Sequence, residues 1–274
     1  MYKKISELLI SEGLTVFAPI GLESCTVKKK YLLEKAGIEC GTAVMIAAPY
    51  YTRHCEGASI SAYAVSRDYH LFYKELFARI LPALQNEFPG NRFAGFADHS
   101  PIDEIEAAAK AGLGFIGKNG MLITEKYSSF VFIGELIFDA SIKIAPNQIK
   151  SCEGCDACTR ACPMKNGRAC LSAVTQKKGE LTPDEIEYIR EYGSAWGCDI
   201  CQNVCPHTKR AKAAGTIFSE IPFFNENPIS HPSVNDIVAM SDGEFFSRAF
   251  SWRGRDCILR NLKLIGEAEN RTEG

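Results

Sequence analysis

The chain has 274 residues, a hydrophobic fraction of 46% and a formal net charge of −2 at pH 7. This length suits one large domain or two of ordinary size, and the apolar fraction is that of a globular protein. A net charge so close to zero gives no overall positive potential that would attract nucleic acid. The longest apolar runs, at 44–48 and 130–133, are far too short to span a bilayer.

The N-terminal segment argues against secretion. Residues 1–13 have the pattern of an amphipathic helix, with Ile5, Leu8 and Leu9 on one side. They contain neither the long apolar stretch and cleavage site of a signal peptide nor a twin-arginine signal. We therefore expect a cytoplasmic protein, in which the twelve cysteines remain reduced and available to iron.

Predicted strands and helices alternate over the first half of the chain, which implies a layered α/β sandwich over residues 1–145. The run 42–51 is almost continuously apolar, as is typical of a strand buried on both faces. The segment 68–88 repeats apolar residues at helical spacing and ends at Pro89-Gly90. The remaining predicted elements are strands at 14–20, 92–97, 121–124 and 129–138, and helices at 26–36 and from Pro101 to Gly112.

Two cysteine runs follow this half, reading C-E-G-C-D-A-C-T-R-A-C-P at 152–163 and C-D-I-C-Q-N-V-C-P at 198–206. The first run has the spacing of a bacterial 4Fe–4S ligand loop, whose fourth cysteine binds the other of two clusters. The second run is one ligand short, because Ala195 stands where its first cysteine would fall, and Cys170 is assigned instead. We therefore predict two cysteine sets: a first set of Cys152, Cys155, Cys158 and Cys205, and a second set of Cys162, Cys170, Cys198 and Cys201.

Zinc and disulfides explain these runs less well. Zinc sites use pairs of C-x2-C, and a third cysteine at the same spacing before x3-C-P is not a usual zinc arrangement. Disulfides conflict with the expected reducing compartment. The remaining cysteines are scattered and are assigned no role, since a lone cysteine is most often a small buried apolar residue: Cys25, Cys40, Cys55 and Cys257.

The glycine-rich stretch 112–120 matches two nucleotide-binding patterns but lacks their structural context. Residues 112–117 satisfy G-x-G-x-x-G, yet a predicted helix precedes them and a predicted strand follows, the reverse of a dinucleotide site. Asn119 stands where a phosphate-binding loop needs a Ser or Thr for magnesium. Two alternatives stay open: a turn in which backbone approaches backbone, or a close approach to a flat ligand.

Asp98 lies at a predicted strand end just before a helix. Either Asp98 or Ser100 could cap that helix. Alternatively, Asp98 is a carboxyl group at the mouth of the sheet, where ligands tend to bind, and could act as a general acid if burial raised its pKa. We interpret His54 and His70 as structural hydrogen-bonding residues.

Several of these stretches together resemble the epoxyqueuosine reductase family. They are residues 97–101 (A-D-H-S-P), 108–119 (A-A-K-A-G-L-G-F-I-G-K-N), and the double cysteine run with the isolated C-L-S at 170–172. Residues 66–70 (S-R-D-Y-H) and 253–261 (R-G-R-D-C-I-L-R-N) fit the same family. The resemblance spans about 40–265. The family is cobalamin-dependent and related to reductive dehalogenases.

The resemblance implies an α+β fold in three parts. A nitroreductase-like α/β cobalamin-binding domain would occupy 1–145. A bacterial ferredoxin-like double 4Fe–4S domain would occupy 146–215. The tail 216–274 would carry short helices that pack back on the core. The second cysteine set would hold the cluster nearer the cobalt.

The same resemblance implies roles for individual residues. Asp98 would be the proton donor over the corrin ring. The residues expected to contact cobalamin, besides Asp98, are Lys118, Asn119, Ile123, Ser172, Asp199 and Ile200. Because the histidine of 68–70 lacks the trailing glycine of the D-x-H-x-x-G motif, we expect cobalamin to bind base-off without a protein imidazole.

Reduction of an epoxide is the implied reaction, from epoxyqueuosine to queuosine if the family substrate is kept. An external donor of ferredoxin or flavodoxin type would supply the electrons. Full-length members carry a C-terminal helical-repeat domain that binds tRNA, and we expect this chain to be a short form without it. The substrate is then tRNA or a small queuosine-related molecule. Alternative hypotheses are an electron-transfer module or a cobalamin-reducing protein serving a partner enzyme.

Overall fold

The computed structural model describes residues 1–152, 154–164 and 169–272, with side chains described as far as residue 267. It is a mixed α/β structure built around a four-stranded antiparallel sheet of spatial order β1-β2-β6-β3, with β4 and β5 forming a separate hairpin. The strands are β1 (Phe17–Gly21), β2 (Thr42–Pro49), β3 (Phe93–Phe96), β4 (Phe115–Ile116), β5 (Leu122–Ile123) and β6 (Val131–Phe138).

Thirteen α-helices lie in the described part of the chain. The helices are α1 (Tyr2–Ser11), α2 (Lys30–Ala36), α3 (Tyr69–Glu87), α4 (Glu104–Ala111), α5 (Ala157–Ala161), α6 (Leu171–Thr175), α7 (Pro183–Tyr192), α8 (Ile200–Asn203), α9 (Pro206–Ala213), α10 (Pro222–Asn225), α11 (Val234–Ala239), α12 (Asp242–Phe246) and α13 (Arg255–Thr272). None of the helices so described is both long enough and apolar enough to cross a membrane.

Strand β2 lies at the centre of the molecule and is buried along its whole length, as its apolar sequence predicts. Because side chains alternate across a strand, Val44 and Ile46 enter a core with α1 and α3. Ala43 and Met45 enter a second core with α4. The two cores hold the sheet between helices on both faces, and this sandwich fixes the loop after β3.

Helix α4 begins three residues later than the Pro101 start predicts. Its N-cap is Asp103, whose carboxylate accepts the Glu106 N–H, so the prediction that Asp98 or Ser100 caps it is wrong. The Ser100 hydroxyl instead donates to the buried Glu135 carboxylate at 2.5 Å. Gly112 ends the helix with a φ of 91°, the left-handed conformation that glycine adopts without steric cost.

Helix α2 is also shorter than its predicted span of 26–36. Residues 26–29 run beside the Pro101 segment instead of turning into the helix. The N–H groups of Lys28 and Lys29 both donate to the Pro101 carbonyl, and Asp103 N–H donates to Thr26. These contacts anchor the start of α4, and with it the residues between β3 and α4.

The C-terminal segment completes the first core. Phe224, Phe245, Phe250 and Ile258 are buried together with residues of β2 and α3. Phe224 lies 4.9 Å from Phe72 of α3 and 5.7 Å from Phe132 of β6 between ring centroids. The sheet and the tail therefore share one hydrophobic interior.

Candidate active site

The two cysteine runs fold against each other. The short helices α5 and α8, one from each run, pack together. Cys158 lies within α5 and Cys201 within α8, while Cys205 is the N-cap of α9 with Pro206 in its first turn. A proline suits this position because its fixed φ is helical and its missing N–H would be unpaired there anyway.

All four cysteines of the first set line one cavity. This cavity, of about 680 Å³, is bounded by Cys152, Cys155, Cys158 and Cys205, and Cys201 also reaches it. Three of the cysteines come from the first run and the fourth from the end of the second. The two cysteine runs therefore border the same cavity.

The second set gathers around Cys198 and the neighbouring core. Burial raises the pKa of Cys198 to about 12 and that of Cys201 to about 11, and the Cys170 sulfur adds to both shifts. Cys162 and Cys198 pack against the same small core, and both act electrostatically on Tyr192. Because a coordinating thiol is deprotonated by its metal, iron bound here would have to displace protons from the half-buried Cys198 and Cys201 thiols.

Over 1–152, 154–164 and 169–267, no three His, Cys, Asp or Glu side chains converge as ligands of one ion would.

Lys118, Asn119 and Ile123, three of the expected cobalamin contacts, line the cavity of the first cysteine set. The ammonium of Lys118 lies 2.5 Å from Asp156 in the first cysteine run. Asn119 and Cys201 border this cavity together, and Ile123 is buried in β5. The structure therefore brings these residues to the cysteines.

The glycine-rich stretch proves to be a tight hairpin. A Cβ on Gly114 would lie 2.2 Å from the Ile123 carbonyl oxygen, which belongs to the facing strand. Backbone therefore approaches backbone at this point. Of the two alternatives left open by the sequence, the close approach of strands accounts for this glycine.

Ser172, Asp199 and Ile200 lie near the second cysteine set but around two separate cavities. Ser172 lines a cavity of about 770 Å³ beside Cys170. Asp199 and Ile200 line a smaller one, of about 280 Å³, beside Cys198. The six expected contacts on the hairpin and the cysteine segment are thus distributed over three cavities.

The Asp199 carboxylate is fully engaged in hydrogen bonds. One oxygen accepts the Ser61 hydroxyl at 2.5 Å and the Gln202 amide at 2.9 Å. The other accepts the Ala62 N–H at 2.6 Å. Asp199 thereby ties the second cysteine run to the turn Ala62–Ala64 of the sandwich half.

Asp98 lies in a strained turn immediately after β3. Its φ is 62°, and the His99 N–H donates across it to the Ala97 carbonyl at 2.7 Å. This three-residue turn with positive φ is rare and strained for a residue other than glycine. The Asp98 side chain is 66% exposed. Only a molecule bound over this side chain would therefore remove water from its carboxyl group.

The N-terminus of α3 presents polar groups to Asp98. His70 Nε2 lies 3.5 Å from Asp98 Oδ2, and His70 Nδ1 lies 2.7 Å from Asp68 Oδ1. The hydrogen bond to Asp68 and the Asp98 carboxylate raise the pKa of His70. Burial and the nearby Asp98 carboxylate also raise the pKa of the Tyr69 hydroxyl. Asp98 therefore faces a histidine that is protonated more readily than usual.

Sequence reasoning missed Glu104 and Glu135, which adjoin this turn. Glu104 Oε1 accepts the Asp98 N–H at 3.0 Å. Glu135 is fully buried in β6. A charged residue inside the apolar run 130–138 is a signal that could have identified it, since buried carboxyl groups are rare unless paired.

Comparison with known proteins places the chain among relatives. The family model described as "Epoxyqueuosine reductase QueG, DUF1730" matches residues 33–99. The epoxyqueuosine reductase of Leadbetterella byssophila is 34% identical over 240 residues, covering 82% of this chain and 77% of that protein. That of Lactococcus garvieae is 30% identical over 238 residues, covering 82% of this chain and 66% of that protein. This chain thus spans about two thirds to three quarters of their lengths.

A solved structure shares the fold. Epoxyqueuosine reductase crystallised with a tRNA-Tyr epoxyqueuosine-modified stem loop superimposes with a TM-score of 0.72 and 24% identity. The match covers 96% of this chain and 81% of that one. The resemblance carried by the sequence motifs is thereby confirmed. The chain belongs to the epoxyqueuosine reductase family of oxidoreductases.

Proposed function

We propose that this chain reduces epoxyqueuosine to queuosine with the help of cobalamin and two 4Fe–4S clusters, in the processing of tRNA. The observation that carries the proposal is the convergence of Cys152, Cys155, Cys158 and Cys205 on one cavity. Cysteines about fifty residues apart come together there in the ligand order of a two-cluster loop. The proposed reaction, reduction of epoxyqueuosine, is inferred from membership of the epoxyqueuosine reductase family.

The cysteines fit two clusters. The first set would hold one cluster in its shared cavity, and the second set, around Cys198, would hold the other. Clusters bound there would pass single electrons from an external ferredoxin- or flavodoxin-type donor toward cobalamin. Because α5 and α8 pack against each other, electrons would have a short path between the two cysteine sets.

The polar groups around Asp98 fit base-off cobalamin. Both ring nitrogens of His70 are engaged, one by Asp68 and the other by Asp98, so this imidazole is not free to ligate cobalt. The proposed cobalamin contacts remain Asp98, Lys118, Asn119, Ile123, Ser172, Asp199 and Ile200. When bound, cobalamin supplies reducing power to an electrophilic carbon–oxygen bond.

Asp98 is proposed to donate the proton that the departing oxygen takes up. Conversion of an epoxide to an alkene consumes two electrons and two protons and releases the oxygen as water. The strained turn presents the Asp98 carboxyl group outward, where a bound substrate would cover it and exclude water. His70, 3.5 Å away, is placed to return a proton to Asp98.

The proposed substrate is epoxyqueuosine carried on tRNA. The related structure with a modified tRNA stem loop supports this choice over a free nucleoside. Because the chain carries a net charge of −2, few phosphate contacts are expected, and salt should weaken substrate binding only modestly.

A single anaerobic preparation tests the proposal. We expect two clusters' worth of iron and sulfide, a base-off corrin spectrum on addition of cobalamin, and turnover of an epoxyqueuosine-modified stem loop with a reduced low-potential donor. A corrin spectrum without turnover would indicate a cobalamin-reducing protein. Clusters without corrin binding would indicate an electron-transfer module.

A further inference from the structure

Two carboxyl groups pack beside the Asp98 turn, and the reaction described above uses neither. Glu104 is the first residue of α4 and is partly buried. Glu135 lies in β6, opposite Met45 of β2 and Phe96 of β3, and is fully buried. A carboxyl group in the centre of a sheet requires a compensating partner.

Both carboxyl groups hold the segment that carries Asp98. Glu104 Oε1 accepts the Asp98 N–H at 3.0 Å. Glu135 Oε1 accepts the Ser100 hydroxyl at 2.5 Å, and the Ser100 oxygen accepts the Ile102 N–H at 3.1 Å. The turn is therefore fixed at two points by two acidic side chains.

The contact between these side chains favours protonation of one of them. Among the described residues, Glu135 Oε2 is buried and has no hydrogen-bond donor. The carboxyl groups of Glu104 and Glu135 are close enough for each to affect the pKa of the other. Ionised carboxylates only accept hydrogen bonds, so two of them can bond only when one is protonated. Burial raises the pKa of Glu104 to about 7, and burial together with Glu104 raises the pKa of Glu135 well above its ordinary value.

The surroundings favour a pair that carries a single negative charge. Lys29 is the cation that acts on Glu104. The other titratable groups facing the pair are Asp98, Cys25, Tyr69 and Tyr73. None of these four is a cation, so a second negative charge on the pair would lack a counter-charge. Two carboxyl groups at such close range share one proton.

We propose that Glu104 and Glu135 share one proton and that this pair is the positioning device that holds the Asp98 turn in its strained form. The inference rests on the proposed role of Asp98 as proton donor. Loss of the shared proton sets two negative charges against each other and withdraws Glu104 from the Asp98 N–H. The strained turn then relaxes, and the Asp98 carboxyl group moves from its productive position.

Two variants of Glu104 separate positioning from charge. Glu104→Ala removes the acceptor of the Asp98 N–H, and we expect kcat to fall by about tenfold to a hundredfold with little change in KM, because misplacement by about 1 Å can cost that much. Glu104→Gln keeps an acceptor for Asp98 and offers a donor to Glu135. Glu104→Gln should restore most of the kcat that Glu104→Ala loses. It should also shift or abolish the fall of kcat on the alkaline side of the pH profile. Equal activities for the two variants, or an unchanged alkaline limb, would overturn the proposal.

A second measurement needs no turnover. Infrared spectroscopy of the holoprotein at about pH 6, well above the ordinary glutamate pKa of about 4.3, should show a protonated carboxylic acid band. The band should vanish in Glu104→Gln and in Glu135→Gln. It should persist in the control Glu106→Gln, since Glu106 lies on the same helix but is ion-paired with Lys110, 2.7 Å away, with a lowered pKa. Absence of the band from the unmodified protein would refute the shared proton.

Hydrogen–deuterium exchange distinguishes failure of this inference from failure of the proposed function. The Asp98 amide should exchange faster in Glu104→Ala than in the unmodified protein. If the band and the exchange behave as expected but Asp98→Asn turns over normally, the pair is supported and the proton-donor role of Asp98 is overturned. If exchange is unchanged in Glu104→Ala, the positioning role fails, whatever Asp98 does.

Discussion

Asp199 Oδ1 lies 2.5 Å from Ser61 Oγ, joining residues 138 positions apart in sequence. Asp199 lies between Cys198 and Cys201 of the second set. Ser61 precedes the turn Ala62–Ala64, which contributes to the first core, the one that β2 shares with α1 and α3. The hydrogen bond therefore couples the cysteine segment to the sandwich. The position of the second cysteine run relative to the sandwich therefore depends on the Asp199 carboxylate.

Replacement of Asp199 by alanine should destabilise the protein. The change leaves the Ser61 hydroxyl and the Ala62 N–H without their acceptor, at a cost of about 1–3 kcal/mol for buried groups left unpaired. Urea unfolding of the holoprotein, with iron retention as a second readout, measures the effect. The control is Asp242→Ala, whose carboxylate is 86% exposed and pairs with Arg255. Equal effects of the two variants would contradict the coupling.

Loss of Cys170 should remove one cluster. Cys170→Ala takes away the proposed ligand that completes the second set, so iron and sulfide should fall by about half, as expected when one of two clusters is lost. Cys40→Ala is the matched control, because Cys40 is an exposed cysteine with no proposed role. Unchanged iron content in Cys170→Ala would mean that another residue supplies the ligand.

Asp98→Asn should reduce turnover without loss of cobalamin. The amide keeps the shape of the side chain but has no acidic proton, and general acid catalysis typically contributes about 10²–10⁴-fold. Steady-state kcat and a cobalamin titration monitored by absorbance measure the two effects. Asp256→Asn, an exposed acidic residue in the first turn of α13, serves as the control. A variant that retains full turnover would remove Asp98 from the reaction.

Gly114→Ala should disrupt the hairpin that faces the first cysteine set. The added methyl group would lie 2.2 Å from the Ile123 carbonyl oxygen, and backbone cannot move away as a flexible side chain can. We expect a loss of about 1–3 kcal/mol in unfolding free energy, as for other overpacked sites. Gly243→Ala is the control, since Gly243 lies in α12 with open space around its Cα. That change should leave stability equal or raise it by up to about 1 kcal/mol.

Local sequence patterns predict those helices and strands whose bounds are set by residues within the element itself. The apolar run of β2 correctly indicates burial on both faces, and Gly112 correctly marks the end of α4. Helix α7 is bounded by local signals of the same kind, a capping box at Thr182 and a left-handed Gly193. Each of these signals depends on residues within one element, so no distant contact overrides it.

Contacts between distant segments account for the errors. The start of α4 cannot be read from Pro101, because Ser100 is bound by Glu135, which lies 35 residues away in the chain. The start of α2 is delayed by pairing with the Pro101 segment for the same reason. The hydrogen bonds that Asp199 accepts from Ser61 and Ala62 could not be read from the cysteine motif, because their donors lie 138 and 137 residues away in the chain. Spacing groups Cys152, Cys155 and Cys158, since a cluster loop is a local pattern, whereas Cys205 is added from the C-P pair that ends the second run.

The shared interior of the sheet and the tail has a consequence for biosynthesis. Phe250 and Ile258 are buried with residues of β2, so this core cannot close until residues 250–258 have left the ribosome. All eight cysteines of the two sets precede these residues and emerge earlier. Iron–sulfur assembly factors would therefore meet the thiols on a nascent polypeptide whose final compaction still lies ahead.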